Sequence, residues 1–281
     1  MKLRLLAACA TASLAACGGK SHPAPWTKQP TAADEAAAIQ AAAARVTSFR
    51  AESVMDYWLG KDRVKGTVLV MGKPGAFVRL NALSPAGDSV IADLACDGTN
   101  FTLVDFQNNC VLTGPCNADS IAQFLHVSLS PDDFLHLATG TTPISVMPPI
   151  LGAVTWDGKQ GRERLELANG AADGERVRGH QSIELDGQRD VLSTAFFLDD
   201  EQKQLGWRIE NKDFRAVKDA SGGEFRVPGK SRFTSPGQKA DLLVEWKEIA
   251  INLPLDAAKF ALVPPDGLPT CGAQPAQPAQ P

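Results

Sequence analysis

Few side chains in this sequence are placed to do chemistry. The histidines His22, His126, His136 and His180 are scattered, and the ten-residue interval between His126 and His136 fits no metal-ligating spacing on a helix. Those two read as surface or cover residues. Asp132-Asp133 resembles a pair of catalytic acids, but it follows Ser130-Pro131. A helix start explains it more simply: an N-cap, a proline at the first position and acids in the first turn. There is no Gly-x-Ser-x-Gly elbow, and no Cys/His pairing suits a nucleophile. Trp207 and Trp246 sit in alternating apolar runs and read as core rather than as sugar platforms. No catalytic residue, metal or cofactor is expected, and the chain reads as a binding or structural protein, not an enzyme.

The cysteines carry the covalent chemistry. Met1–Ala16 reads as a targeting segment: Lys2 and Arg4 precede the apolar run Leu5–Ala16, which is too short to span a bilayer. It ends in Leu14-Ala15-Ala16-Cys17, followed by Gly18-Gly19. This is similar to the lipobox of bacterial lipoproteins, and the resemblance implies acylation of Cys17 as the mature N-terminus, with a membrane lipid as its first partner. Gly18 rather than aspartate after the cysteine implies, by the same resemblance, an outer-membrane lipoprotein facing the periplasm. Four further cysteines, Cys96, Cys110, Cys116 and Cys271, are free to form disulfides in an exported protein. Three connectivities are open to them. Cys110 and Cys116 flank the turn Val111–Pro115 and are natural partners, which leaves Cys96 with Cys271. Their spacing fits no zinc finger, and no histidine lies near.

Composition sets limits on the rest. The hydrophobic fraction of 44% and charged fraction of 21% are those of a globular chain. The net charge is −4 and no basic block occurs, so no nucleic-acid partner is expected. After Cys17 no apolar run reaches the ~18 residues that a spanning helix needs.

The elements that would position these residues are mostly strands. From 63 to 112, four short apolar runs are punctuated by Gly72–Gly75, Ser84–Gly87 and Asp97–Asn100, the mark of an antiparallel meander. Phe49–Leu59 precedes it as a strand, and Ala32–Val46 reads as a helix capped by Thr31. Ala118–His126 and Pro131–Ala138 switch to helical periodicity, and Thr141–Leu151 reads as a linker. A second β series follows: Arg162–Ala168, Arg176–Leu185, Val191–Leu198, Leu205–Val217, Glu224–Phe233 and Asp241–Ile251. The organisation expected is a signal peptide (1–16), a tether (17–30), one domain (31–268) and a disordered Ala/Gln/Pro tail (269–281).

Taken together, several of these features resemble the LolA/LolB superfamily of lipoprotein carriers. They are the N-terminal helix, Arg63-x-x-Gly66, Phe77-Val78-Arg79-Leu80, Asp97-Gly98-Thr99-Asn100-Phe101, Ser130–Leu135, Gly140–Pro143 and Asn252-Leu253-Pro254-Leu255. The resemblance implies a mainly β (α+β) fold, an unclosed antiparallel β-barrel or strongly curved sheet with helices covering its concave face. It also implies that an acyl chain or lipoprotein is held there, and a monomer is expected. Ile121, Phe124, Leu125, Phe134 and Leu137, on the helices, become candidates for lining that concavity. The same residue types build a packed core, so both roles are open, as is a structural lipoprotein that binds another envelope protein without a lipid ligand.

Overall fold

The computed structural model describes residues 21–59, 62–125, 127–146, 150–169, 179–199 and 201–272. Six strands follow helix α1 (Ala32–Ala44): β1 (Phe49–Leu59), β2 (Asp62–Lys73), β3 (Phe77–Leu83), β4 (Val90–Asp97), β5 (Asn100–Asp105) and β6 (Cys110–Pro115). Helices α2 (Ala118–Leu125) and α3 (Pro131–Thr139) come next. A second series completes the chain: β7 (Ile150–Asp157), β8 (Arg162–Asn169), β9 (His180–Asp186), β10 (Val191–Phe197), β11 (Leu205–Lys212), β12 (Arg215–Lys218), β13 (Glu224–Val227), β14 (Lys230–Ser235) and β15 (Ala240–Ile251).

Thirteen strands form one antiparallel sheet in the order β6-β5-β4-β3-β2-β1-β15-β14-β11-β10-β9-β8-β7, and β12 and β13 pair as a separate hairpin. The first half is a meander of neighbours in sequence, and so is the second except that the β12–β13 hairpin intervenes between the paired strands β11 and β14. The long central pair β1–β15 joins the first half to the second, from Phe49↔Ile251 to Tyr57↔Leu242. Register shifts at Glu52/Ser53, Ala82/Leu83, Val191/Ser193 and Phe196/Phe197 put bulges into the ladder. Each bulge bends and twists its strand, and the sheet curls without closing. The unclosed curved sheet expected from the sequence is thus the fold observed.

The two outer strands of an unclosed sheet leave unpaired backbone groups. Both ends are covered by chain termini. At β6, Val111 N–H donates to Pro269 O at 2.9 Å and Cys271 N–H donates to Val111 O at 2.9 Å. Pro269–Cys271, read as the start of a disordered tail, therefore pairs with the sheet; residues 273–281 lie outside the described residues. At β7, the stretch Ser21–Pro30, within the expected tether 17–30, is fastened: Trp156 Nε1 donates to His22 O at 2.8 Å and Trp26 meets Trp156 edge-on at 5.8 Å. The Gln29 amide donates to Val154 O.

The disulfides are Cys96–Cys116 and Cys110–Cys271, which corrects the expected pairing. All four cysteines do bond, and Cys271 does tie the C-terminus to the sheet. However, the stretch Val111–Pro115 is strand β6, not a turn. Six extended steps hold Cys110 and Cys116 about 20 Å apart, far beyond the ~7 Å Cα limit for a bridge. Strand β7 starts inside the expected linker Thr141–Leu151 and runs on to Asp157, where no element was expected, and the expected strand Leu205–Val217 breaks at Asp213, whose φ is 59°.

Candidate functional site

The concave face is where this fold can hold something. Strand alternation puts Phe49, Ala51 and Met55 of β1, Val68 and Val70 of β2, Val78 and Leu80 of β3 and Leu242 and Val244 of β15 on it, all buried. Helix α3 lies across them. Its start is built as the sequence indicates: Ser130 Oγ accepts from Asp133 N–H at 3.3 Å, and Asp133 Oδ2 accepts from Ser130 N–H at 2.7 Å. Its end is fixed by Gly140 in the left-handed region, φ 66°. A Cβ there would sit 2.8 Å from Phe214 and 2.9 Å from Pro228, so glycine lets the β12–β13 side close on the helix. Two polar pins hold α3 to the sheet. Ser231 Oγ donates to Leu137 O at 2.8 Å, and Ala76 N–H donates to Asp132 Oδ1 at 3.1 Å.

Four of the five lining candidates are packed core in this structure. Ile121, Leu125, Phe134 and Leu137 are at 0, 1, 0 and 0% exposure. They sit in one large apolar cluster with Phe49, Met55, Leu80, Leu94, Phe101 and Trp246. None of them lines a cavity described below. Phe124 belongs to α2, but its side chain lies outside what is described, as do Cys17 and His126. Trp246 is core, as expected.

A second, smaller apolar cluster lies under α1: Ala36 and Ile39 pack on Val154, Leu165, Leu167, Ile183 and Leu185. Between the two clusters runs a seam, crossed by the chain from Thr141 to Val146. Gln181, fully buried, pins that crossing chain. Its Nε2 donates to Pro143 O at 2.8 Å and to Thr194 Oγ1 at 3.2 Å, and its Oε1 accepts from Ser145 N–H at 2.8 Å.

A cavity of about 920 Å³ opens on this seam. Its floor is Leu205, Trp207, Ile209 and Phe233 of β11 and β14, and Leu198 stands 48% exposed at its rim. Ser128, Asp133, Pro143 and Ser145 form its roof, and the β10–β11 and β14–β15 connections form its mouth. Phe196 stacks on Trp207 with centroids 6.2 Å apart and planes 16° apart, which stiffens the floor. The volume and the apolar floor suit an apolar ligand whose polar end meets Lys203, Gln204, Ser235 and Gln238. Trp207, read from the sequence as core, is instead partly exposed in this cavity. The available signal was the alternation Leu205-x-Trp207-x-Ile209 opening directly after the polar turn 199–204, which puts bulky apolar side chains at a strand end.

At the other end of the seam, a cavity of about 530 Å³ lies between α1, the end of α3 and the β12–β13 hairpin. It is more charged: Arg45, Arg189, Asp190, Glu224 and Arg226 line it. Arg226 pairs with Asp190 at 2.8 Å, and the Arg45 guanidinium lies 4.8 Å above the Phe225 ring. Burial pushes the Asp190 carboxyl up, against the lowering effect of Arg226. Behind this cavity, Arg189 is shared by two buried carboxylates, Glu35 and Glu163. One cation cannot neutralise both, and burial pushes Glu163 up to about 7. The sequence reading did not single out this triad.

Neither His136 nor His180 lines these two cavities, although His136 touches Thr141 at the edge of the smaller one. Burial lowers the His136 pKa although Asp133 and Asp132 act to raise it, and its Nδ1 meets Thr141 Oγ1 at 2.8 Å. His180 is on the convex face, bonded to Glu166.

No protein-family model and no curated protein matches the sequence. Solved structures do match the fold. A DUF1329 family protein from Desulfovibrio piger superposes with a TM-score of 0.51 at 13% identity, covering 83% of this chain and 98% of that one. A LolA superfamily protein from Nitrosomonas europaea gives 0.50 at 10% identity, covering 81% and 97%. A putative outer membrane lipoprotein-sorting protein domain from Vibrio parahaemolyticus gives 0.48 at 11% identity, covering 82% and 94%. At such identities the likeness is one of fold alone: the chain shares its architecture with the Desulfovibrio piger and Nitrosomonas europaea proteins.

Proposed function

We propose that this is a lipid-anchored envelope protein that holds an acyl chain, free or carried on a lipoprotein, in the cavity on the seam. The observation that carries the reading is the apolar floor of that cavity, where Leu205 and Trp207 stand partly exposed over the buried Ile209 and Phe233 of the core. The fold likeness supports it, as does the lipobox-like segment ending at Cys17. In this reading the protein is a monomeric binder without catalytic role, attached through acylated Cys17 to the outer membrane and facing the periplasm. A second reading is favoured by one observation: Ile121, Leu125, Phe134 and Leu137 fill the concavity under α2 and α3. A structural lipoprotein that binds an envelope partner through its surface would need no more than that. Native mass spectrometry of protein extracted from membranes separates the two. Co-purified acyl mass that is lost from a Leu205→Glu variant supports the carrier. Wild-type protein free of bound lipid favours the structural role.

A further inference from the structure

We propose that the domain stands on its β7–β8 connection, residues 158–161, with that connection against the bilayer and the mouth of the seam cavity turned to the aqueous side. The inference rests on the anchored reading of Cys17 given above. Its geometric basis is the fastening of the N-terminal segment. His22 N–H donates to Gly158 O at 2.7 Å, and Trp156 Nε1 donates back to His22 O at 2.8 Å. The His22 ring lies so close that a Cβ on Gly161 would come within 3.0 Å of it. Ser21 is thereby held at the β7–β8 connection. Four Cα–Cα steps separate Ser21 from Cys17, and fully extended they reach at most about 14 Å. An acylated Cys17 at the bilayer surface therefore keeps this connection within that distance of the lipid.

The strand order then places the cavity. Arg162 pairs with Asp186 and Val191 with Leu185, so β8 and β10 both begin at the β7–β8 end. The β10–β11 connection is at the other end of β10, about 23 Å away along a seven-residue strand. The β14–β15 connection, which shares the cavity mouth, lies at that same far end. A mouth held there does not draw its ligand sideways out of the bilayer that anchors the protein. It receives the acyl chain from the aqueous side, and so from a partner that shields the chain from water.

The test uses full-length acylated protein in phosphatidylethanolamine/phosphatidylglycerol vesicles that contain an acceptor-labelled lipid headgroup. A fluorescent amino acid replaces either Lys159 or Lys239, both exposed and at opposite ends of the strands. Energy transfer to the bilayer should be roughly twofold or more stronger from position 159 than from 239. A flexible Gly/Ser insertion of about 15 residues between Lys20 and Ser21 should erase that contrast, because the reach then exceeds the strand length. Equal or reversed transfer, in protein whose mass includes the acyl chains, overturns the orientation and leaves the anchor standing. A contrast that survives the insertion overturns the tether as its cause. Protein without acyl mass removes the anchor, and the orientation with it.

Discussion

Glu163 shows how a single residue is set by its surroundings. It projects inward from β8 beside Leu165 and is fully buried. Its cation among the described residues, Arg189, is shared with Glu35. Burial raises its carboxyl to about 7, above the ordinary value of 4.5, so the folded chain keeps a proton that the unfolded chain has released. That contribution is full below pH ~4.5 and is lost as the pH rises to about 7; above that it is constant. Urea midpoints should therefore fall between pH 5 and pH 8, and Glu163→Gln should flatten that decline by about 1–3 kcal/mol. A wild-type profile that rises over this window would contradict the assignment. The apolar side chains invite a second comparison. Phe134 is fully enclosed, so Phe134→Ala should cost about 3–5 kcal/mol of stability. Trp207 faces open space on one side, so Trp207→Ala should cost less and act on binding instead. Paired chemical denaturation of the two variants checks this. The alternation Arg164/Leu165/Glu166/Leu167 was legible in the sequence, and it places Glu163 on the inward side. Its partner was not, because Arg189 sits in a turn, where no period applies.

At the scale of elements, the termini and the disulfides finish what the strands leave open. An unclosed sheet has two edges, and each is met by an end of the chain: Ser21–Pro30 along β7 and Pro269–Cys271 along β6. The bridge Cys110–Cys271 spans 161 residues and Cys96–Cys116 spans 20. Chain-entropy arguments give about 5 kcal/mol for the longer loop and about 3 kcal/mol for the shorter. The double variant Cys110→Ser/Cys271→Ser should therefore lose more stability than Cys96→Ser/Cys116→Ser, and its β6 amides should exchange faster with solvent. Equal losses, with β6 protection unchanged, would mean that the C-terminal segment holds without its bridge. The meander, α1 and α3 were readable from turn residues, alternation and caps. The cysteine pairing was not, because it depends on reading Val111–Pro115 as strand or turn, and the Thr113-Gly114-Pro115 end favours a turn. The edge β7 was hidden by the prolines at 148 and 149 directly before it.

At the scale of the whole molecule, one sheet carries two apolar clusters, and the working space lies between them. The core under α2 and α3 is closed, the cluster under α1 is closed, and the polar pins Gln181 and Ser231 hold the crossing chain and α3 to the sheet on either side of the gap. The helices that the sequence marked as cover do cover the concave face, but their most apolar residues fill it. The open lining comes from Leu205 and Trp207 of β11 instead, above Ile209 and Phe233 of that core. Sequence periodicity places a side chain on a face; it does not tell which part of that face a helix will leave bare. The central claim is that this bare part, about 920 Å³ over Leu205, Trp207, Ile209 and Phe233, binds an acyl chain. Its most direct test is a titration of delipidated protein with a fluorescent fatty-acid analogue. The account predicts saturable binding to the wild type and an affinity at least about tenfold weaker, 1.4 kcal/mol or more, for Leu205→Glu in a protein that still melts cooperatively. No saturable binding to the wild type, or equal affinity for the variant, would contradict it.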